Sequence, residues 1–391
     1  MRIIVSLTSY PPRIDSVHKV VESLYRQIVA ADEIVLYLSL DEFPQAAASL
    51  PGKLKSLIGQ GGFRVAWVHG NLKSHKKYYY ALQEYKDAVV ITVDDDKIYA
   101  KTMIADLINS YKRFPSAVSA RKVRIILKSV DSLEPYSKWE REKCLEEYID
   151  VPRMDLCAIG VGGICYPPAL VNENWFDKEL LVKTADEHDD LWLKYNEIIS
   201  SIPVVYTRSA QEDITIDNSQ IYCLAANNLY GNGNDICISE LLRLFKEQST
   251  GRYHEWFRSL MTREEYIIAQ KKYYTDILNS IFDKVGNVPV YFCGAGQIAR
   301  HMLMILADLG LTQRITAIVV SNTSGNATCL YGLQVRALSE LDTDRKFGML
   351  FGMSESNKIE FLSRLADRDY ITIELDLQII ERYYPRWSAG I

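Results

Sequence analysis

The sequence lacks several features that would place its 391 residues in a common structural class. Its seven cysteines are scattered and form no CxxC pair, which argues against a zinc site or a disulfide framework and predicts reduced thiols in the cytoplasm. No apolar run reaches the roughly 18 residues that a membrane-spanning helix needs. The opening MRIIVSLTSY has no basic region followed by a long apolar stretch, so no signal peptide is predicted there.

A surplus of basic residues is also missing. The net charge of −5 gives no general attraction for nucleic acid, so no nucleic-acid partner is expected. Hydrophobic residues make up 48% and charged residues 24% of the chain, which are ordinary values for a folded protein. A chain of this length exceeds what one core usually organises, and two domains are therefore expected.

Apolar runs and helical spacings alternate along the first part of the chain. Because strands that alternate with helices form parallel sheets, this part is predicted to be an α/β domain. The predicted strands are 2–7, 33–39, 63–68 and 88–93, and the predicted helices are 14–28 and 74–85. Ligands of open α/β sheets bind beyond the carboxyl ends of the strands, so the loops Thr8–Arg13 and Asp94–Tyr99 are expected to share one crevice.

The pattern changes near residue 240 to long helical stretches, and a new apolar strand begins at Val288. We therefore predict three regions: an α/β domain at 1–240, a helical connector at 241–286 and a smaller Rossmann-like α/β domain at 287–391. The predicted helices between the two α/β regions are 239–246, 254–260 and 263–285.

Three consecutive carboxylates, Asp94, Asp95 and Asp96, follow a run that is predicted to be a buried strand. Like charges so close together raise one another's pKa, and a divalent cation relieves the repulsion and can bridge to a diphosphate. The triplet therefore indicates a metal–diphosphate site. A solvated acidic loop that caps the next helix is the alternative that the triplet alone leaves open.

A second acidic cluster, 186–190, immediately precedes a helix-like stretch at 191–199. A carboxylate can act as a general base when it lies within hydrogen-bond reach of an acceptor hydroxyl. A plain acidic helix start is the alternative.

Cations would stabilise the charge on a diphosphate leaving group. Arg13, after the first loop, and Lys76, at a predicted helix start whose amides suit an anion, are candidates. Solvated surface cations remain the alternative for both residues.

Taken in this order, these segments resemble bacterial glycosyltransferases of the GT-A superfamily, family 2-like and of the polysaccharide biosynthesis type. The resemblance covers residues 1 to about 240 and is carried by the opening strand and loop, Val5–Ile14, and by Val93–Asp96, which looks like the DXD element. It implies a GT-A fold and transfer of a sugar, with inversion, from a nucleotide-diphosphate donor, a UDP-sugar foremost. The implied acceptor is a glycan or a lipid-linked oligosaccharide of capsule or lipopolysaccharide synthesis.

The resemblance also implies roles for the acidic residues. Mn²⁺ or Mg²⁺ would be held by Asp94 and Asp96, while Asp95 would face the donor ribose or sugar. The catalytic base would be Asp189 or Asp190, because 189–192 matches the paired acids, apolar residue and tryptophan of the similar families. Glu187 and His188 stay alternatives, since the cluster here carries extra residues.

Other donor-binding positions follow from the same resemblance. The first loop, with Thr8, Tyr10 and Arg13, would contact the nucleotide base and ribose, and Lys76 would belong more loosely to the donor site. Gly162 and Gly163 would line the donor-sugar pocket, where glycine lets a ligand approach the backbone. A plain tight turn is the alternative for the two glycines.

The segment 290–299 has the strand, glycine turn and helix order of a dinucleotide-binding motif. The acidic residue that should end the second strand is missing, since Ser321 and Asn322 stand there. Docking, homo-oligomerisation or nucleotide sensing is therefore favoured over NAD binding, and an NAD-dependent sugar-nucleotide oxidoreductase or epimerase is the alternative function. The tail Arg382–Trp387 mixes cations with aromatics, which suits peripheral contact with the inner membrane surface or a packed terminus.

Overall fold

The computed structural model describes residues 1–141, 148–209, 211–217, 232–341, 345–365 and 368–374. The chain divides into two compact units, Met1–Arg263 and Glu264–Ile391. The division falls within the segment 241–286 that was predicted to be a connector. The tail Arg382–Trp387 lies outside the described residues.

The first unit is a mixed α/β structure. Its strands are β1 (Ile3–Thr8), β2 (Glu33–Ser39), β3 (Phe63–Val68), β4 (Val89–Thr92), β5 (Lys97–Ile98), β6 (Val118–Ala120), β7 (Val123–Ile125), β8 (Glu140–Arg141), β9 (Pro152–Arg153), β10 (Leu156–Ala158), β11 (Ile164–Tyr166), β12 (Val204–Tyr206) and β13 (Ile214–Thr215). Its helices are α1 (Val17–Tyr25), α2 (Gly52–Lys55), α3 (Lys76–Glu84), α4 (Met103–Arg113), α5 (Lys178–Ala185), α6 (Asp189–Ile199), α7 (Gly233–Gln248) and α8 (Thr250–Ser259).

Eight strands form the main sheet in the order β3-β2-β1-β4-β11-β6-β12-β9. The pairs β3–β2, β2–β1 and β1–β4 are parallel, whereas β11 is antiparallel to both β4 and β6. The carboxyl ends of β1 and β4 therefore lie at the same edge as the beginning of β11. The segment that follows β4 and the segment that precedes β11 therefore meet at this edge.

Hydrophobic periodicity explains the core of this unit. Helix α1 buries Val17, Val20, Val21 and Leu24 on the face that packs on the sheet, and its spacing is that of an amphipathic helix. Every residue of β4 is buried, as expected for a central strand covered on both faces.

The second unit contains a smaller sheet with helices on both sides. Helix α9 (Arg263–Asp283) leads into it, and its other elements are β14 (Val290–Cys293), α10 (Gln297–Asp308), β15 (Ala317–Val320), β16 (Cys329–Leu330), β17 (Leu333–Ala337), β18 (Phe347–Phe351), α11 (Glu355–Ser363) and β19 (Tyr370–Ile373). The strand order is β16-β17-β15-β14-β18-β19; the β16–β17 pair is antiparallel and the other described pairs are parallel. One core packs α9 and α10 against the sheet, and a separate core includes Phe361 of α11.

The predicted fold class is confirmed: a mostly parallel α/β sheet, a helical segment and a smaller α/β region follow one another along the chain. Across the part of the chain that the structure describes, no helix is both long enough and apolar enough to cross a membrane.

Candidate functional site

A cavity of 490 Å³ opens at the carboxyl ends of β1 and β4. It is lined by Thr8, Ser9, Tyr10, Arg13, Glu42, Asn71, Lys73, Ser74, Lys76, Lys77, Asp94, Asp95, Asp96, Lys97, Val161, Asp189 and Asp190. The structure thus brings the acidic triplet and the start of α6 into one site, together with the first loop and the start of α3. This edge is where open α/β sheets bind ligands.

The middle carboxylate of the triplet is held by the first loop. Asp95 accepts a hydrogen bond from Ser9 Oγ at 2.5 Å and from a guanidinium nitrogen of Arg13 at 2.8 Å. The same Arg13 nitrogen lies 3.5 Å from Asp96 Oδ2. Burial raises the pKa of Asp95, while Arg13 and Ser9 oppose that effect. Asp95 therefore fixes the first loop to the triplet, and its carboxylate oxygens are engaged by protein groups.

A single buried lysine joins the two acidic clusters. The Nζ atom of Lys77 lies 2.6 Å from Asp94 Oδ1 and 2.8 Å from Asp189 Oδ2. Only 6% of the Lys77 side chain is exposed. Burial disfavours its charge, but Asp189 and Asp94 outweigh that effect and raise the pKa of Lys77 well above its ordinary value. The residue therefore stays a cation.

The two carboxylates that begin α6 differ in their surroundings. Burial would raise the pKa of Asp189, but the charge and hydrogen bond of Lys77 outweigh it and lower that pKa to about 2. Burial and the charge of Asp189 raise the pKa of Asp190 well above its ordinary value. Asp190 Oδ1 also accepts a hydrogen bond from the backbone N–H of Gly160 at 3.0 Å. Asp189 is thus held ionised, whereas Asp190 has the higher affinity for a proton.

Lys76 lies on another wall of the cavity and is almost fully buried. Its ammonium group pairs with the carboxylate of Glu42 and donates to Asn71 Oδ1 at 3.0 Å. Thr8 donates its hydroxyl to the backbone carbonyl of Tyr37 at 2.8 Å. Tyr10 lies under the guanidinium of Arg13, with 5.8 Å between the guanidinium carbon and the ring centroid.

The glycine turn before β11 meets the cavity at Val161, and Gly160 lies close to side chains that line it. Val161 lines the cavity, and a Cβ atom built on Gly160 would lie 2.8 Å from Lys77 Nζ. Gly162 and Gly163 lie outside the lining. A Cβ on Gly162 would meet Lys122, and Gly163, with φ of +86°, faces Leu107 and Met103 of α4.

The two alternative base candidates also lie outside the lining of the cavity. Glu187 accepts from Lys73 Nζ at 2.7 Å, and Lys73 also pairs with Asp186. Burial lowers the pKa of His188, which favours a neutral ring.

The carboxylates of the cavity suit a divalent cation that a ligand helps to bind. Among the residues that the structure describes, no three His, Cys, Asp or Glu side chains converge as a metal cage. Mg²⁺ in phosphate-transferring sites is commonly held by one or two carboxylates, water and substrate phosphates. Asp94 and Asp96 supply that number. Among the described residues, six carboxylates line the cavity, and the cations paired with them there are Arg13, Lys76 and Lys77.

Some residues of the site did not stand out from the sequence. Glu42 follows β2 and Asn71 follows β3, so the strand-end rule could have indicated both. Lys77 lies at the same predicted helix start as Lys76, but the sequence prediction includes only Lys76 as a candidate cation. Gly160 became recognisable only through the contact of its backbone with Asp190.

A second cavity, of 560 Å³, lies at the carboxyl ends of β14, β15 and β18. Its lining includes the predicted glycine turn, 294–296, together with Ser321 at the end of β15. Glu360 is the only charged residue among those that line it in the described part of the chain.

No family model and no curated protein matches the chain. Among solved structures, S. aureus TarS 1-349 in complex with UDP-GlcNAc is similar over 81% of this chain and 82% of that chain, with 14% identity and a TM-score of 0.35. The 4-diphosphocytidyl-2C-methyl-D-erythritol synthase of Anaerococcus prevotii is similar over 58% and 98%, with 14% identity and a TM-score of 0.35. A UTP-bound UGPase from Acinetobacter baumannii is similar over 63% and 98%, with 12% identity and a TM-score of 0.33. Superpositions this loose carry no functional argument, so the chemistry of the site rests on the chain's own residues.

Proposed function

We propose that the chain is a metal-dependent, inverting glycosyltransferase of the hexosyltransferase type. It would move a sugar from a nucleotide-diphosphate donor, a UDP-sugar foremost, to a hydroxyl group of a glycan or a lipid-linked oligosaccharide in surface polysaccharide synthesis. The observation that carries the proposal is the shared cavity: Asp94 and Asp96 line the same cavity as Asp190, which has a high proton affinity.

The donor would bind along the first loop and the acidic triplet. Thr8, Tyr10 and Arg13 border the space for the nucleoside, with Lys76 and its partner Glu42 on a neighbouring wall. Asp94 and Asp96 would hold Mn²⁺ or Mg²⁺ against the diphosphate. The bound cation would stabilise the negative charge that develops on the departing nucleotide diphosphate.

The acceptor would enter on the α6 side, where Asp190 serves as the general base. The Asp190 carboxylate takes the proton of the acceptor hydroxyl while that oxygen forms its bond to the anomeric carbon. The bond from the anomeric carbon to the diphosphate oxygen breaks, and its electron pair leaves with the nucleotide diphosphate. Attack from the side opposite the leaving group inverts the anomeric centre. Asp189 is a poorer base because Lys77 holds it ionised with a pKa of about 2.

The first test is a thermal-shift screen of the full chain against common nucleotide sugars and NAD(H), each with Mn²⁺ and with EDTA. We expect stabilisation by one nucleotide family that needs the metal and is lost in Asp96→Ala. Release of the nucleotide diphosphate from that donor is then measured with and without acceptor glycans. A shift that persists in EDTA and in Asp96→Ala would contradict the metal assignment.

The second cavity supports one alternative, an NAD-dependent sugar-nucleotide oxidoreductase or epimerase that uses the second unit. Its glycine turn joins β14 to α10, as the motif requires. Ser321 at the end of β15 leaves the ribose without its usual acidic partner. A thermal shift with NAD(H) alone, indifferent to EDTA and to Asp96→Ala, would favour this alternative. For the favoured function we propose a cytoplasmic location, with peripheral membrane contact where the acceptor is lipid-linked.

A further inference from the structure

Lys77 occupies a position that the proposed chemistry leaves without a role. Its ammonium group touches Asp94, on the donor side of the cavity, and Asp189, at the start of the helix that carries the acceptor-side carboxylates. Its backbone carbonyl accepts a hydrogen bond from the buried hydroxyl of Ser6 in β1 at 2.5 Å. The lysine is therefore anchored to the central sheet at one end and to both acidic clusters at the other.

The chain makes room for this ammonium group at Gly160. A methyl group there would lie 2.8 Å from Lys77 Nζ, and 3.3 Å from both Asp94 Oδ1 and Asp190 Oδ1. Gly160 is not among the residues with positive φ, so its backbone does not itself require glycine. The absence of a side chain at position 160 instead keeps space for the Lys77 ammonium group.

Residues just before α3 also contact the segment that leads into α6, where Lys73 pairs with Asp186 and Glu187. His75 bonds through Nε2 to the backbone carbonyl of Ala185 and through Nδ1 to the Tyr78 hydroxyl, both within 2.9 Å. Burial lowers the pKa of His75, so its ring is uncharged near neutral pH. Of these described groups, Lys77 is the cation that touches both Asp94 of the acidic triplet and Asp189 at the start of α6.

We propose that Lys77, seated against Gly160, is a positioning residue that ties the start of α6 to Asp94 and so sets the distance between the acceptor-side base and the donor. The inference rests on the proposed function. Displacement of a catalytic group by about 1 Å can cost roughly 10²-fold in rate. Loss of the lysine should therefore lower kcat. It should not weaken metal-dependent nucleotide binding, because removing Lys77 frees Asp94 from a competing cation.

The experiment is a double-mutant cycle on the full chain with Lys77→Met, Gly160→Ala and the double variant. Turnover of the donor identified in the screen and the Kd for UDP with Mn²⁺ are both measured. We expect each single variant to lose roughly 10²-fold in kcat and to bind UDP no more weakly than the wild type. The double variant should match Lys77→Met alone, because Gly160→Ala acts by displacing a group that is already absent.

Lys76→Met provides the matched control. It removes a buried lysine from the same turn of α3, but Lys76 pairs with Glu42 and does not touch the acidic clusters. We expect Lys76→Met to weaken UDP binding, and its effect on kcat should multiply with that of Gly160→Ala.

The outcomes separate this inference from the proposed function. A wild-type protein that neither binds UDP nor turns over a nucleotide sugar would overturn both. If the wild type is active, three results would overturn the role of Lys77 alone. The Lys77→Met variant keeps its kcat, it loses UDP affinity by the same factor as kcat, or its loss in kcat multiplies with the loss caused by Gly160→Ala. If Lys77→Met fails to fold, as judged by circular dichroism, Gly160→Ala decides: unchanged kcat overturns the proposal, and lower kcat with intact UDP binding supports it.

Discussion

The two cavities of this chain lie at equivalent places, beyond the carboxyl ends of parallel strands, but different residues line them. The described lining of the first unit's cavity contains six carboxylates and several lysines, whereas that of the second unit's cavity consists mainly of glycine, small polar and apolar residues. Among the described residues, every buried charged side chain lies in the first unit, and the second buries only Gln270 as a polar side chain.

This difference separates what a fold provides from what residues provide. A sheet edge supplies a concave place with converging strand ends in both units. Burying a charge is costly unless it is paired, so a dense cluster of buried, mutually paired charges is a feature that packing alone does not produce. The first cavity is therefore the better candidate for chemistry.

The largest effect is expected from Asp190→Asn. The amide keeps the size of the carboxyl group but cannot accept the acceptor's proton, so turnover should fall by roughly 10²–10⁴-fold while the Kd for UDP stays unchanged. Steady-state kinetics and calorimetric titration with UDP measure the two quantities. Asp189→Asn is the comparison, and an equal loss in both variants with identical pH profiles would contradict the assignment of the base to Asp190.

A comparison of Asp96→Asn in the first cavity with Gln297→Ala in the second tests directly whether the two cavities differ in their role in the reaction. Loss of one metal ligand weakens the stabilisation of the leaving group, and we expect turnover to fall by about 10²–10³-fold. Gln297→Ala, at the exposed start of α10, should change turnover by less than about twofold. Similar losses in the two variants would show that the second cavity takes part in the reaction.

Gly352→Ala should affect stability rather than turnover. A Cβ atom there would lie 2.5 Å from Phe292 Cζ and 2.8 Å from the backbone of Ala299, so we expect a loss of about 2–3 kcal/mol in the unfolding free energy of the second unit. Gly296→Ala, which meets no atom within 4 Å, is the control. Denaturant unfolding measures the difference, and equal midpoints for the two variants would contradict the packing of Phe292 against Gly352.

The smallest effect is expected at Glu197, a buried acid of α6 behind the first cavity. Burial raises its pKa to about 7, and Lys194, 3.4 Å away, only partly offsets this. Because the folded state binds the proton more tightly than the unfolded state, the stabilisation is present below about pH 5 and is lost as pH rises towards 7. Between pH 5 and 8 the wild type should lose about 2 kcal/mol more stability than Glu197→Gln. Parallel stability curves for the two proteins would argue against a raised pKa.

Much of the fold could be predicted because local sequence pattern determines it. The strands Glu33–Ser39 and Phe63–Val68 have the predicted bounds, and α9 ends within two residues of its predicted end. The antiparallel strand β11 could not be predicted, because its three residues carry little pattern and its place between β4 and β6 depends on long-range pairing.

The site was predictable to the level of segments but not of single residues. Ile164 pairs with Thr92, and this register brings Gly160 beside Asp94 and turns Gly162 and Gly163 towards Lys122 and α4. The spacing of the glycines in the sequence does not predict how β11 pairs with β4. Neighbouring lysines of a helix point about 100° apart, so only the packing of α3 decides that Lys77 reaches the acidic clusters while Lys76 reaches Glu42.

The contact between Lys77 and Gly160 also constrains how this chain can change over evolutionary time. A side chain gained at position 160 would collide with the Lys77 ammonium group. Loss of the lysine at position 77 would leave space beside Asp94 and Asp189. The two positions are far apart in sequence, yet they should coevolve. Relatives that keep the lysine at position 77 should keep the glycine at position 160. Relatives that have replaced the lysine should accept alanine or serine at position 160.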